Sequence, residues 1–221
     1  TAAIHAAAES LTEYLTIEAP DPNLSQMGET RLLDTVVEIV HPVTAYADLM
    51  ETIFDFNAIR DFLKTGKKLR FDAMHAITGP YAIEILENRL GTPTGTVINA
   101  CPLPDFGGGH PDPNPVWARA LFDAAMAPDG PDLAAASDGD GDRNMILGRG
   151  VYVGPSDSLA VLAANLHLCP GYGHGLTGVA RSMPTSRAVD RVAAARGLGC
   201  HATPTGWKFF GSLLDAGLVQ L

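Results

Sequence analysis

The sequence predicts an α/β fold. Short apolar or β-branched runs alternate with runs carrying apolar residues at helical spacing along most of the chain. Gly and Pro concentrate in the connectors between these runs, as at 105–115 and 170–178. Apolar residues make up 46% and charged residues 18% of the 221 positions, which suits a globular protein with a core.

The elements follow in order. Ala2 to about Leu15 reads as a helix, with Ile4, Ala8, Leu11 and Leu15 at helical spacing. Asp21–Gly28 is a polar, proline-containing connector. Thr35–Val40 is β-branched and reads as a strand. Val43 to about Phe62 reads as one helix entered from Pro42. After a turn at Gly66–Lys68, Leu69–Ala73 is a strand. Pro80–Leu90 is an amphipathic helix closed by Gly91. Val97–Ala100 is a short buried strand. Asp105–Pro115, DFGGGHPDPNP, is too rich in Gly and Pro for a regular element. Pro115–Met126 reads as helix, Leu133–Ala136 and Met145–Leu147 as strands, and Ser156–Leu168 as a helix with Ser156 at its N-cap. Beyond the glycine-rich 170–178, Val179–Arg181 is a strand, Thr185–Arg196 a helix and Cys200–Thr203 a strand. The PTGWKFFG loop from Pro204 then enters another helix.

Net charge is −10 and the pI near 5.0, with no long basic run, so a nucleic-acid partner is not expected. No apolar stretch approaches the length of a membrane span. Cys101, Cys169 and Cys200 are scattered and odd in number. They indicate neither a zinc site nor a disulfide framework, and a reducing, cytoplasmic setting is the default. All three sit among apolar residues and read as inert packing thiols.

Asp138-Gly-Asp140-Gly-Asp142, followed by Arg143, carries the chemistry. Three carboxylates at alternate positions crowd negative charge into one loop, which a hard divalent cation relieves. Mg²⁺ suits them, because it takes oxygen ligands and leaves positions open for a phosphate. Glycine lets the loop curl so that the carboxylates converge. Arg143 adds a planar fork matched to phosphate, or else a surface pair for a nearby carboxylate. A solvated Asp/Gly turn is the competing reading. A calcium loop of the EF-hand type is not supported: its sixth and twelfth positions require Gly and Glu, and Arg143 and Arg149 stand there. The apolar strands on both sides favour a site held between two buried segments.

Six segments, in order, resemble the α-D-phosphohexomutase family, in its glucose-phosphate branch. They are IFDFNAI from Ile53, FDAMHAITGPY from Phe71, DFGGGHPDPNP from Asp105, SDGDGDRNMILG from Ser137, ARSMPTS from Ala180 and TPTGWKFFG from Thr203. The resemblance implies mixed-sheet α/β domains of the phosphohexomutase type, in an incomplete chain. It implies the tail of domain 1 at 1–33, a metal-binding domain 2 at 34–170 and part of a sugar-binding domain 3 at 171–221. It implies interconversion of glucose 1-phosphate and glucose 6-phosphate through a phosphoserine and glucose 1,6-bisphosphate, the activating intermediate. By the same resemblance Asp138, Asp140 and Asp142 are Mg²⁺ ligands, Arg143 is catalytic, and Asp142, Arg143, Thr205 and Gly206 bind substrate.

Asp72, closing its strand, is expected to orient Arg143 through a salt bridge. Trp207, Phe209 and Phe210 read equally as core or as ligand contacts, and Lys208 as a solvated charge or a phosphate partner. His75 and His110 are expected to fix loop shape and not to move protons. Partners implied are small sugar phosphates, with no membrane and a parent that is a monomer or weak dimer. A non-catalytic structural paralogue and a mutase that also accepts mannose phosphate are the alternatives.

The family's Ser-His-Asn-Pro-type serine loop and Gly-Glu-Glu-Ser sugar loop do not occur in this sequence. The chain starts at Thr1 and ends on the strand-like Leu218–Leu221, so a fragment inactive by itself is expected. Surfaces meant for other domains would then be exposed, and the isolated chain should be marginally stable and self-associating. Sedimentation velocity and repeated thermal scans check this; a monodisperse monomer with a sharp, reversible transition would contradict it.

Overall fold

A computed structural model describes residues 2–221. Two compact units divide it, one up to Pro42 and one from Val43 to Leu221. The first unit holds helix α1 (Ala2–Glu9) and an antiparallel hairpin of β1 (Gly28–Leu32) and β2 (Thr35–Ile39). Helix α1 stops well short of Leu15 and buries none of its residues. Without a surface to receive its apolar stripe, so short a helix gains little from extending. β1 lies where a polar connector was expected to end. Its sequence, GETRL, lacks a strand signature, and its strand state comes from pairing with β2 across Leu33 and Asp34. Leu33 adopts φ 52°, the left-handed geometry that such a tight link demands.

The second unit opens with two helices where one was expected, α2 (Thr44–Ile53) and α3 (Phe56–Lys64). Asp55 separates them: its side chain accepts from Ala58 N at 2.9 Å and caps α3. β3 (Leu69–Asp72) precedes α4 (Thr78–Ala82), which runs on as a π-helix from Ile83 to Arg89. Gly91, at φ 75°, closes that helix as expected. β4 is Val97–Ile98, and α5 is Arg119–Met126. The Asn114 carboxamide oxygen, accepting from Val116 and Trp117 N–H, shapes the turn before α5. β5 (Leu133–Ser137), β6 (Asn144–Gly148) and β7 (Val151–Val153) complete a five-stranded sheet of order β4-β3-β5-β6-β7. Its first three strands are parallel, and the β5–β6 and β6–β7 pairs are antiparallel, so the sheet is mixed.

Helix α5 lays Leu121 and Ala125 on Ala134, Ala136, Met145 and Leu147, all essentially inaccessible. Alternate alanines along β5 let the helix approach closely, and complete burial of a leucine contributes about 1.5–3 kcal/mol.

Ser156 does not cap a helix. It lies in a 3-10 turn, Pro155–Asp157, and α6 begins one residue later (Ser158–Asn165). Ala160 and Ala163 of α6 pack with Val179 of β8 (Gly178–Ser182) and Val189 and Ala193 of α7 (Ala188–Arg196). β8 pairs in parallel with β9 (Gly199–Thr203), and α8 (Trp207–Asp215) follows. Gln220 donates to the Gly178 carbonyl and Leu221 accepts from Ala180 N–H, so the final residues lie along β8. Cys101 and Cys200 are exposed, contrary to the packing role expected of them, and the Cys200 thiol donates to Asp190 at 3.5 Å. Among the described residues no helix is long and apolar enough to cross a membrane.

Asp190 ties α7 to β8. Arg181 Nε and Nη2 donate to its two oxygens at 2.5 and 2.8 Å, and Arg187 Nε adds a third bond at 2.9 Å. These guanidinium hydrogen bonds hold the Asp190 carboxyl far below the usual carboxylate range. A carboxyl depressed on folding contributes stability that is full above its unfolded pKa and is lost as pH falls towards the folded value. Urea midpoints should therefore drop from about pH 4 downwards more steeply in the native chain than in an Asp190→Asn variant. Equal slopes would show that this cluster does not couple to stability.

Candidate metal and phosphate site

The pentad occupies the turn from β5 to β6. Ser137 pairs with Asn144, so Asp138–Arg143 form the whole connection, with Asp138 N–H donating to the Arg143 carbonyl at 3.2 Å. The loop therefore sits at the C-terminal edge of a parallel strand, where α/β sheets present ligand sites. Asp138 is 1% exposed. Its Oδ1 accepts from Gly141 and Arg143 N–H, each at 3.0 Å, and its Oδ2 from Arg143 Nε at 2.8 Å. Gly141 has φ 82°, and a Cβ there would lie 2.7 Å from Thr78 Cγ2, so the curl needs glycine on both counts. The Thr78 hydroxyl bonds that of Ser137 at 2.5 Å, joining the start of α4 to the end of β5.

Asp140 and Asp142 are exposed beside the buried Asp138. One oxygen from each of the three lies within 4.8 Å of the others. An ionised carboxylate has about four lone-pair sites, so Asp138 retains acceptor capacity after its three hydrogen bonds. An all-oxygen donor set, doubly open to solvent, fits a hard divalent ion that keeps waters or takes phosphate oxygens. The charges disclose the crowding. Asp140, burial and Asp138 together raise the Asp142 carboxyl above the usual range, with Arg143 opposing. Burial would raise Asp138 too, but the Arg143 backbone N–H and guanidinium outweigh it and hold this carboxyl low.

Arg143 is oriented by Asp138 and by Asp112, whose Oδ1 accepts from Nη1 at 3.2 Å; Asp142 lies 3.6 Å from Nε. Asp112 is fixed in turn by Asn114 at 2.7 Å. Asp72 is not the partner of Arg143. It accepts from Met74 N–H and Asn99 Nδ2, both at 2.8 Å, and so stabilises the loop after β3. Asp112, Asn99 and Thr78 were not legible in the sequence as supports of the site because their partners Arg143, Asp72 and Ser137 are distant in sequence; Asn114, whose partners are local, matters only because it fixes Asp112. A cavity of about 360 Å³, lined by His110, Asp112, Asp138, Asp140 and Arg143 among others, opens over the loop.

Residues 105–115 wrap this edge. Phe106 and Pro111 lie 3.7 Å from where a Gly139 side chain would start. Met74, His75, Asn99 and Phe106 all have φ between 51° and 55°, a conformation that costs non-glycine residues about 1–3 kcal/mol each. Met74, His75 and Asn99 follow the C-terminal ends of β3 and β4, and Phe106 lies in the loop that wraps the pentad edge. His75 holds the Cys101 carbonyl through Nδ1 at 3.0 Å, a loop-fixing role, whereas His110 packs its ring on Trp117 at 4.6 Å.

Thr205 and Gly206 lie elsewhere, between β9 and the N-terminus of α8. Gly206 has φ 134°, open only to glycine without strain, and Thr205 is exposed. Neither side of this turn bonds to the pentad among the described residues. Trp207 is 85% exposed, which removes the core reading for it; Phe209 and Phe210 are half-buried. Lys208 Nζ sits 5.3 Å from the Phe209 ring.

Comparisons with known proteins agree with this architecture. The family description "Phosphoglucomutase/phosphomannomutase, alpha/beta/alpha domain II" matches residues 44–150, and the corresponding domain III description matches 155–221. A phosphoglucomutase of Rhizobium radiobacter is 56% identical over all of this chain and 41% of its own length. The chloroplastic phosphoglucomutase 1 of Marchantia polymorpha is 52% identical over 94% of this chain and 32% of its own. The open-form crystal structure of Paramecium pp63/parafusin, described as an exocytosis-sensitive phosphoprotein and phosphoglucomutase, superposes with a TM-score of 0.83. It is 47% identical over 90% of this chain and 37% of that one. The chain thus spans roughly a third to two-fifths of the length of these relatives. Two consecutive domain matches, on a mixed sheet that carries the three carboxylates at its ligand edge, place the chain in the phosphoglucomutase/phosphomannomutase family.

Proposed function

We propose that this chain is the metal-binding and sugar-phosphate-binding part of a phosphoglucomutase that interconverts glucose 1-phosphate and glucose 6-phosphate. The observation that carries the reading is the convergence of Asp138, Asp140 and Asp142 within 4.8 Å beside an Arg143 already oriented by Asp138 and Asp112. The same three carboxylates would hold Mg²⁺, which supplies Lewis-acid withdrawal of charge from a transferring phosphoryl group. Phosphoryl transfer depends chiefly on positioning and charge neutralisation, and the residues here serve those two ends.

Asp138 fixes the loop from below, leaving Asp140 and Asp142 on its open face. Arg143 spends one N–H on Asp138 and one on Asp112, and its other donors would take phosphate oxygens. Thr205 would offer a hydroxyl, and Gly206 a bare backbone, to the sugar phosphate at the start of α8. The donor and acceptor serine lies outside this sequence, and glucose 1,6-bisphosphate would be the intermediate that reorients between the two half-reactions. We place the working compartment in the cytoplasm, the parent as monomer or weak dimer, and the domains at 1–33, 34–170 and 171–221. The packing of α6 on α7 and β8 favours moving the second boundary back to the turn at Gly154.

A non-catalytic paralogue is the second reading, suggested by a superposing structure whose description pairs phosphoglucomutase with an exocytosis-sensitive phosphoprotein. Retention of mannose phosphate as a substrate is the third, favoured by the breadth of the matched family description.

Calorimetry with MgCl₂ and the Asp140→Asn and Asp142→Asn variants tests the metal site. Each variant should bind at least about tenfold more weakly, on the order of 1.4 kcal/mol. In the full-length protein, each should also lower glucose 1-phosphate turnover. Unchanged affinity and turnover would remove the proposal, whereas lost affinity in a full-length protein that never turns over would favour the paralogue. The pH dependence is a separate check. Because Asp142 is raised by its neighbours, a cation must displace its proton in mild acid, and Mg²⁺ affinity should fall as pH falls. Heats measured in buffers of different ionisation enthalpy should report proton release, reduced in Asp142→Asn. No proton release at any pH between neutrality and the usual aspartate range would contradict the assignment.

A further inference from the structure

A second cavity in the second unit lies away from the pentad, at the opposite edge of the same sheet. Its volume is about 1010 Å³, and it is lined by the residues that enter β3, β4 and β5, with the end of α5 and the loop 91–96. Strands of four or five residues separate it from the pentad edge by roughly 15 Å. Arg60, Lys64, Lys67, Lys68, Arg70 and Arg89 line it, against a single lining carboxylate, Asp129. In a chain of net charge −10 this is a local reversal of sign.

Four of the six cations already have hydrogen-bond or ion-pair partners. Lys64 pairs with Asp61, Lys67 with Asp132, and Arg89 with Asp48, Glu51 and Glu84; Arg60 donates to Asn57 and the Arg89 carbonyl and lies 3.9 Å from Glu51. The Lys68 ammonium and the Arg70 guanidinium have neither a hydrogen bond nor an ion pair among the described residues. Lys68 immediately precedes β3 and Arg70 is the second residue of that strand, so their Cα atoms lie roughly 7 Å apart along the chain. Like charges so placed repel, and an anion between them removes the repulsion. Arg70 pairs in register with Ala134, and so shares the sheet face that α5 covers.

The backbone is built around the same space. The π-helix Ile83–Arg89 ends here, with Leu90 N–H donating to the Ile85 carbonyl at 2.9 Å, and it delivers Arg89 and Leu90 to the lining. Runs of π-helix are rare and gather at functional positions. Gly66, Gly91 and Gly95, at φ 89°, 75° and 90°, leave the wall open: a Cβ on any of them would meet nothing within 4 Å.

We propose that this cavity binds a small polyphosphate anion, held by Lys68 and Arg70, as a second ligand site separate from the reaction edge. Its volume suits a compact ligand, not a polymer. The unpaired cations select multiply charged phosphates over neutral sugars.

The test is calorimetry of the chain with sodium tripolyphosphate, orthophosphate and ATP in metal-free buffer. Saturable tripolyphosphate binding with Kd below about 1 mM is expected. A Lys68→Ala/Arg70→Ala variant should weaken it at least about tenfold, and Arg143→Ala should leave it unchanged. Tighter binding of ATP would identify a nucleoside polyphosphate as the source, and equal binding the phosphate chain alone; both uphold the site. Should the double variant unfold, amide NMR of the native chain decides: shifts at Gly91, Gly95 and Gly130 uphold the site, whereas shifts confined to Gly139 and Gly141 overturn it. Absence of saturable binding, or binding lost only in Arg143→Ala, also overturns it.

Discussion

Asp138 is 1% exposed, yet it is ionised and accepts three hydrogen bonds, all from within five residues of itself. A carboxylate at that depth is tolerated only because Arg143 meets it with both backbone and side chain. The two residues constrain each other. Arg143 cannot swing away without stranding a buried charge, and Asp138 cannot turn without releasing the loop. Everything proposed for the reaction edge follows from this clamp: the exposed placement of Asp140 and Asp142, the left-handed Gly141, and the reach of Arg143 towards Asp112.

The sheet gives that clamp its rigidity. β5 is parallel to β3 on one side and antiparallel to β6 on the other, so the pentad is at once the end of a parallel strand and a tight turn to its neighbour. The first role puts it at the ligand edge, and the second stops it from opening. Alanines at 134 and 136 bring α5 close enough to bury Leu121 on the strands that carry the loop. Around the same edge, four non-glycine residues hold left-handed backbone, strain supported by the packing beneath it.

Seen from both ends, the sheet separates two electrostatic tasks. Carboxylates gather where the parallel strands finish, and cations where they begin. On the proposed assignments the pentad would hold a cation and the opposite cavity an anion, and roughly 15 Å of sheet between them would keep either site from neutralising the other.

The periodicity of the chain determined the α/β class, most element positions and the carboxylate loop, because alternation of apolar runs and Asp-Gly spacing are local properties of the sequence. It did not reveal β1, whose polar GETRL becomes strand only by pairing, nor the break at Asp55, nor the π-helix, whose apolar spacing is indistinguishable from an α-helix over so few residues. Asp72 looked like the partner of Arg143 because both flank strands; register instead gave it Met74 and Asn99, and gave Arg143 to Asp112, 31 residues away. Cys101 and Cys200 look apolar by their neighbours in sequence and are exposed in space. The sequence by itself therefore determined which chemistry is present, since that depends on residue type and short spacing. Only the tertiary structure decided which residue orients which, and that unpaired Lys68 and Arg70 share a cavity, because those facts depend on strand register and on contacts between distant segments.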